Sequence, residues 1–137
     1  MRIIPTGLHS MLDYAIGVQL MVSPWSFGFA SDGAETIVLL AVGQLIILYS
    51  LFTDYNISLF NSISLKNHLL LDFVAGTFLI ASPWIFGFKE IIYLPHLIIG
   101  IISIFLSLLT ISYHREEVRQ AAHNMSISSK EKDLSHG

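Results

Sequence analysis

Two histidine–aspartate pairs are the residues of this chain whose types and spacing could do chemistry. His9 and Asp13 are four residues apart, and so are His68 and Asp72. Residues four apart share one face of an α-helix, so each imidazole can reach the carboxylate of its own pair. Such groups form hydrogen bonds, transfer protons and ligate metals.

Three roles are open for these four residues. The first is structural: each carboxylate accepts a hydrogen bond, and the pairs hold helices together beside Gly17 and Gly76, one turn further along the same stripe. The second is proton or small-ion handling, because ionisable residues inside a membrane often mark pathways. The third is ligation. His9 and His68 could take both axial positions of a haem, or the two histidines and two aspartates could hold a divalent metal.

The composition indicates that these residues lie in a membrane. The 137 residues are 53% hydrophobic and 12% charged, with a mean hydropathy of +0.67, whereas soluble domains carry about 25% charged residues. Four runs lack Asp, Glu, Lys and Arg: 14–31, 36–53, 73–88 and 91–113. A membrane-spanning helix needs roughly 17–25 mostly apolar residues. We therefore predict an all-α membrane protein with four transmembrane helices.

The chain contains an internal repeat. Shifted by 59 residues, positions 9–29 lie on 68–88, and 11 of the 21 positions are identical, including the His, Asp, Gly, Ser, Pro and Trp residues. The second helices align at a shift of 57, with six identities. These are Leu40/Leu97, Gly43/Gly100, Ile47/Ile104, Ser50/Ser107, Leu51/Leu108 and Thr53/Thr110. We predict two tandem two-helix repeats related by a pseudo-two-fold axis along the membrane normal.

The repeat also predicts the domain boundaries. The first two-helix repeat occupies residues 1–59, the second 60–113, and a cytoplasmic polar tail 114–137. Within them we expect helices at about residues 3–22, 34–53, 64–81 and 93–113, joined in the middle by a loop at 54–63. The tail is expected to begin as a short helical extension and then become flexible.

Local signals predict the helix ends. Pro24 and Pro83 disfavour the α conformation at the preceding serine, so each first helix should stop there. Asp32-x-x-Glu35 resembles a capping box that opens the second helix. Pro95 suits the first turn of the fourth helix.

The two turns carry a doubled motif. Ser23-Pro24-Trp25 and Ser82-Pro83-Trp84 are each followed by x-Phe-Gly-Phe, which places Gly28 and Gly87 at equivalent positions. With the preceding His and Asp, this pattern resembles the SPW repeat family of prokaryotic integral membrane proteins, over about residues 8–112. The resemblance implies the architecture and a prokaryotic source, and it implies no chemistry.

The distribution of basic residues predicts the orientation. One side would hold both termini and six basic residues: Arg2, Lys66, Arg115, Arg119, Lys130 and Lys132. The other side would hold Lys89. By the positive-inside rule the termini are cytoplasmic and the SPW turns face outward. Trp25 and Trp84 would then anchor the outer interface of the bilayer.

The leading functional hypothesis is a small multi-pass membrane protein that serves as a structural or accessory four-helix bundle without a cofactor. The alternatives are a proton or small-ion transporter or channel, and a haem- or metal-binding redox module with His9 and His68 as ligands. The expected partners are the lipid bilayer and a second copy or a larger membrane complex. A net charge of −3 gives no footprint for nucleic acid. No nucleophile–base arrangement, Gly-rich phosphate loop or HExxH motif is present, which disfavours an enzyme.

Overall fold

The described part of the chain consists of four helices. The computed structural model describes residues 6–53 and 63–135. Its helices are α1 (Thr6–Ser26), α2 (Ala34–Phe52), α3 (Leu65–Ile85) and α4 (Leu94–Ser135). Within these residues there is no β-strand, only an isolated bridge between Thr53 and Ile63. The all-α prediction is therefore confirmed, whereas most of the loop predicted at 54–63 lies outside the described residues.

Three of the helices are long and apolar enough to cross a membrane. They are α2, α3 and residues Leu94–Lys130 of α4. Helix α1 has a suitable length but does not reach the same hydropathy, because it carries Gln19 at the position where α3 carries Phe78. Much of the surface of the bundle is apolar, as large side chains such as Met11, Leu70 and Ile101 project outward.

The helices form two hairpins. Helix α1 packs along α2, and α3 packs along α4; the hairpins then meet through α2 against α3 and α1 against α4. This order places α1 and α3 diagonally across the bundle. Side chains from α1 and α3 can therefore meet at its centre.

Each hairpin is held together by a close crossing of glycines. A Cβ atom added to Gly43 would lie 2.7 Å from the carbonyl oxygen of Gly17, and one added to Gly100 would lie 2.7 Å from that of Gly76. The two backbones are thus in direct contact, as small residues allow in membrane helix pairs. On the side of these crossings nearer the SPW turns lies an apolar core that includes Leu20, Leu39, Leu79 and Phe88.

The prolines do not stop the first helix of each hairpin. Helix α1 continues through Pro24 to Ser26, and α3 continues through Pro83 to Ile85. The prediction that the helices end at the serines is therefore wrong, and the usual cost of a proline inside a helix must be offset. Proline has no N–H, so it leaves the carbonyl four residues earlier without its helical donor.

The serine of each motif supplies the missing donor. Ser23 Oγ donates to the Leu20 carbonyl oxygen at 2.8 Å, and Ser82 Oγ donates to the Leu79 carbonyl oxygen at 2.8 Å. Leu20 and Leu79 are the residues four before Pro24 and Pro83. The Ser-Pro pair thus lets a proline sit in the last turn without an orphaned, buried carbonyl group.

Glycine ends each of these helices instead. Gly28 has φ +71° and Gly87 has φ +72°, the left-handed conformation that glycine adopts without steric cost. The N–H of Phe29 donates to the Pro24 carbonyl and that of Gly28 to the Trp25 carbonyl. This is the Schellman pattern of helix termination.

The start of α2 differs from the predicted capping box. Its N-cap is Gly33, and no side chain caps it. Ser31 organises the turn instead: its N–H donates to Thr36 Oγ1, and its hydroxyl accepts from the Gly33 N–H and donates to Glu35 Oε1. Glu35 therefore serves the turn rather than the cap.

Helix α4 is far longer than predicted. It opens with Pro95 in its first turn, as expected, but runs to Ser135, where the sequence predicted an end near residue 113, a short helical extension and then a flexible tail. The segment after 113 contains neither Gly nor Pro before residue 137, so nothing in it interrupts the helix. Residues 115–130 are exposed.

Changing Gly43 to alanine tests the crossing within a hairpin. The added methyl group meets the Gly17 backbone, so Gly43→Ala should lower stability in detergent by about 1–3 kcal/mol, the usual cost of overpacking. Gly7→Ala is the matched control, because Gly7 is also helical and has nothing within 4 Å of the added atom. Equal melting temperatures for the two variants would contradict the proposed backbone contact.

A double-mutant cycle tests the Ser-Pro pair. Ser23→Ala removes the donor to the Leu20 carbonyl and should cost about 0.6–1.7 kcal/mol, the measured range for hydrogen bonds in membrane proteins. Adding Pro24→Ala restores a backbone N–H at position 24, so the double variant should be more stable than Ser23→Ala alone. Additive destabilisation in thermal unfolding would refute this account.

Candidate functional site

The four predicted residues meet in one cluster, here named the histidine–aspartate cluster. His9 Nε2 lies 3.1 Å from Asp72 Oδ2 and 3.4 Å from Asp13 Oδ2. His68 Nε2 lies 2.9 Å from Asp13 Oδ2 and 3.1 Å from Asp72 Oδ2. Each histidine therefore contacts the aspartate of its own helix and that of the other hairpin.

The cluster is closed off from the surroundings of the bundle. His9 and His68 are 0% exposed, and Asp13 and Asp72 are 4% exposed. Each aspartate is seven residues beyond the start of its helix. At about 1.5 Å per residue, this distance is roughly 10 Å along the helix axis. The cluster thus lies nearer the starts of α1 and α3 than their SPW ends.

The second helix of each hairpin contributes a threonine that holds a histidine. Thr53 Oγ1 lies 2.8 Å from His68 Nδ1, and Thr110 Oγ1 lies 3.0 Å from His9 Nδ1. Each hydroxyl also donates to a carbonyl of its own helix, Thr53 to Tyr49 at 2.7 Å and Thr110 to Leu106 at 2.9 Å. Each histidine on one hairpin is therefore fixed by a threonine of the other hairpin.

These contacts favour one tautomer of each imidazole. A threonine hydroxyl has one hydrogen, and here it is donated to a backbone carbonyl. The histidine Nδ1 must then be the donor to the threonine oxygen. In a neutral imidazole this leaves Nε2 with a lone pair that faces the carboxylates. The contacts between Nε2 and Oδ2 therefore require a further proton or a cation between them.

Tyr49 completes the environment of one aspartate. Its hydroxyl donates to Asp72 Oδ1 at 2.5 Å, and its ring lies edge-on to His68 with centroids 4.9 Å apart. The equivalent position in the second repeat is Leu106, which has no hydroxyl. At this position, therefore, the two second helices depart from the repeat.

The other predicted motif residues lie at the opposite end of the bundle. Ser23, Pro24, Ser82 and Pro83 are buried and form the helix ends described above. Trp25 and Trp84 are 61% and 52% exposed, which suits aromatic anchors at a membrane interface. None of these motif residues contributes a side chain to the histidine–aspartate cluster.

A third buried histidine connects the hairpins near the SPW turns. His96 is fully buried, and its Nε2 lies 3.1 Å from the Glu35 carbonyl oxygen, to which it donates. The Phe88 ring lies 4.9 Å and the Phe29 ring 6.4 Å from the His96 ring, centroid to centroid. His96 has no counterpart in the first repeat, so the repeat pattern gave no signal for this role.

Sequence reasoning did not assign roles to Thr53, Thr110 and Tyr49. A signal existed for the threonines, because they are identical at the 57-residue shift that relates the second helices. No repeat signal exists for Tyr49.

Comparison with known proteins identifies one family. A family model described as the SPW repeat domain matches residues 7–110. No curated protein and no solved structure matches the chain.

Proposed function

The chain belongs to the SPW repeat domain family, and from its apolar helices it is a small membrane protein; we propose that it is a structural or accessory four-helix bundle of the prokaryotic cytoplasmic membrane. In this proposal the histidine–aspartate cluster is a clamp that joins two hairpins. The observation that carries it is the exchange of contacts between hairpins, in which His9 reaches Asp72 and His68 reaches Asp13.

The proposal includes a pseudo-two-fold relation between the hairpins. Exchanging α1 with α3 and α2 with α4 converts each helix contact into another that is also present. The same exchange relates the two threonine–histidine contacts, the two glycine crossings and the two serine–leucine bonds. A tandem repeat with both units inserted in the same direction would produce this pattern.

All four helices are proposed to lie in the bilayer, including α1. Its outward side chains Met11, Val18 and Val22 are large and apolar, as are those of the other three helices. Its aspartate and histidine are turned inward, where they cost less than the about 2.5–3.5 kcal/mol of an aspartate at a membrane-helix centre.

An apolar layer argues against transport as the function. Between the cluster and the SPW turns, the interior is filled by Leu20, Leu39 and Leu79, which are 0% exposed, and by the glycine crossings. Among the described residues, Ser103 is a buried polar side chain at this depth, and its hydroxyl is bound to the Ile99 carbonyl oxygen, so a departing proton or ion meets no chain of polar groups there. Haem ligation is also disfavoured, because both Nε2 atoms already face carboxylate oxygens at 2.9–3.4 Å, which leaves no width for a porphyrin between them.

The structure of the hairpins supports the proposed orientation. Lys66 and Arg115 lie on α3 and α4 toward the cluster end, and Lys89 lies in the turn at the other end. By the positive-inside rule the cluster end faces the cytoplasm. The exposed continuation of α4 would then extend on that side, available to a second copy or to a larger membrane complex.

Substitution of one aspartate tests the clamp. Asp13→Asn keeps the shape of the side chain and should reduce thermal stability in detergent by about 0.6–1.7 kcal/mol. Asp13→Leu should reduce it more, because leucine removes the oxygen that both histidines contact. Gln44→Leu, a change at an exposed position of α2, is the control and should be neutral.

The same variants separate the clamp from transport. Purified wild-type protein in liposomes containing a pH-sensitive dye should show no more proton flux than protein-free liposomes. Flux that depends on Asp13 would establish transport and overturn the proposal. Unchanged stability of Asp13→Leu would show that the cluster is not a clamp.

Labelling of single cysteines tests the orientation. The chain has no cysteine, so Asp32→Cys, Lys89→Cys and Ser128→Cys each introduce one thiol. In whole cells an impermeant thiol reagent should label positions 32 and 89 and leave position 128 unlabelled until the membrane is permeabilised. The reverse pattern would invert the topology, and labelling at only one of the two turns would contradict a four-span arrangement.

A further inference from the structure

We propose that the histidine–aspartate cluster binds one divalent metal ion of the zinc class, through His9 Nε2, His68 Nε2, Asp13 Oδ2 and Asp72 Oδ2. The inference rests on the proposed clamp and names what occupies its centre. Each of the four residues offers one ligand atom, and these atoms, which come from both hairpins, all lie within 4.8 Å of one another.

The first argument is the convergence of the donors on a common point. Each Nε2 lies at similar distances from two carboxylate oxygens, 3.1 and 3.4 Å for His9 and 2.9 and 3.1 Å for His68. A protonated Nε2 has one N–H, which points along the ring plane to one acceptor. Two independent ion pairs, each made by one linear N–H bond, would therefore show one short and one long distance at each histidine. The nearly even distances fit four ligands around one centre.

The second argument is size. In a tetrahedral zinc site the ligands lie about 2.0–2.1 Å from the metal, which puts neighbouring ligand atoms about 3.3 Å apart. The four Nε2–Oδ2 distances of 2.9–3.4 Å bracket that value. Small outward shifts of the side chains would complete the site without a change in the helices.

The third argument is charge. Two ionised aspartates contribute −2, and both imidazoles direct lone pairs inward in the tautomer that donates from Nδ1 to the threonines, whose own hydrogens are donated to backbone carbonyls. A divalent cation makes the cluster neutral and binds one inward-facing lone pair of each of the four ligand atoms. Burying the same carboxylates without compensation would be very costly in a low-dielectric interior.

The surrounding hydrogen bonds match those of protein metal sites. Ligating histidines usually donate their other ring N–H to an outer partner, which fixes the tautomer and the ring orientation. Thr53 and Thr110 provide this partner for His68 and His9, and Tyr49 donates to the second oxygen of Asp72. The outer partners thus come from α2 and α4, so all four helices would be tied to the metal.

The donor set selects the type of metal and its role. Two imidazole nitrogens and two carboxylate oxygens suit Zn²⁺, whereas Ca²⁺ and Mg²⁺ prefer oxygen ligands alone. Four protein ligands in a buried site leave no open position for water or substrate, which is characteristic of structural zinc sites. The metal would therefore strengthen the joint between the hairpins rather than perform chemistry.

Metal analysis of the full-length protein in detergent tests this inference. After treatment with a chelator, titration with ZnCl₂ should saturate near one equivalent per chain and raise the melting temperature. Substitution with Co²⁺ should give the strong visible absorption of tetrahedral Co²⁺. Asp13→Asn should abolish saturable binding, and Thr110→Val, which leaves all four ligands in place, should weaken it about 10–100-fold.

His123→Ala is the control for adventitious binding, since His123 is an exposed histidine on α4; it should bind Zn²⁺ as the wild type does. Absence of saturable binding, or binding that persists in Asp13→Asn, would overturn the inference. If Asp13→Leu still lowers stability when the wild type binds no metal, the clamp stands with protons at its centre. If Asp13→Leu leaves stability unchanged, the clamp itself fails.

Discussion

The bundle depends on placing four ionisable side chains in an apolar interior and satisfying them all from within. An aspartate exposed to lipid costs several kcal/mol, and an unpaired buried histidine leaves a donor or an acceptor unmatched. Neither hairpin can satisfy its own pair completely, because each histidine is held by a threonine of the other hairpin. Association of the hairpins is therefore the condition under which burial of these groups becomes tolerable. Lipid provides no hydrophobic drive for that association, so polar contacts and close packing must supply it.

The remaining architecture keeps the cluster compact. The glycine crossings bring α1 against α2 and α3 against α4 at backbone contact, so the threonines reach across to the histidines. The leucine-rich layer then closes the interior toward the SPW turns. At that end the Ser-Pro pair lets α1 and α3 continue through the proline, and the left-handed glycine then terminates each helix. The aromatic rings of each motif divide between core and surface. Phe88 is 2% exposed, whereas Phe86 is 50% exposed.

Periodicity and repetition predicted most of this arrangement. The spacing of His9 and Asp13, repeated at His68 and Asp72, was sufficient to predict that the four residues face inward, because repeated rare residues in apolar helices must share a buried environment. The threonines carried the same repeat signal, but identities between two apolar helices arise easily by chance and therefore carry less information. The continuation of α1 past Pro24 could not be predicted from residue preferences. It depends on a hydroxyl-to-carbonyl bond within the last turn, which the statistics of the residue before proline do not contain.

Departures from the repeat show where the two halves have acquired different roles. Tyr49 donates to Asp72, but its counterpart Leu106 cannot donate to Asp13. Ser107 donates to the Leu69 carbonyl across α3 and α4, whereas its counterpart Ser50 has no hydrogen-bond partner among the described residues. His96 donates to the Glu35 carbonyl oxygen of α2, and its counterpart in the first repeat, Leu39, has no side-chain donor for such a bond. A purely architectural clamp requires none of these differences, since one unit duplicated without change would form it.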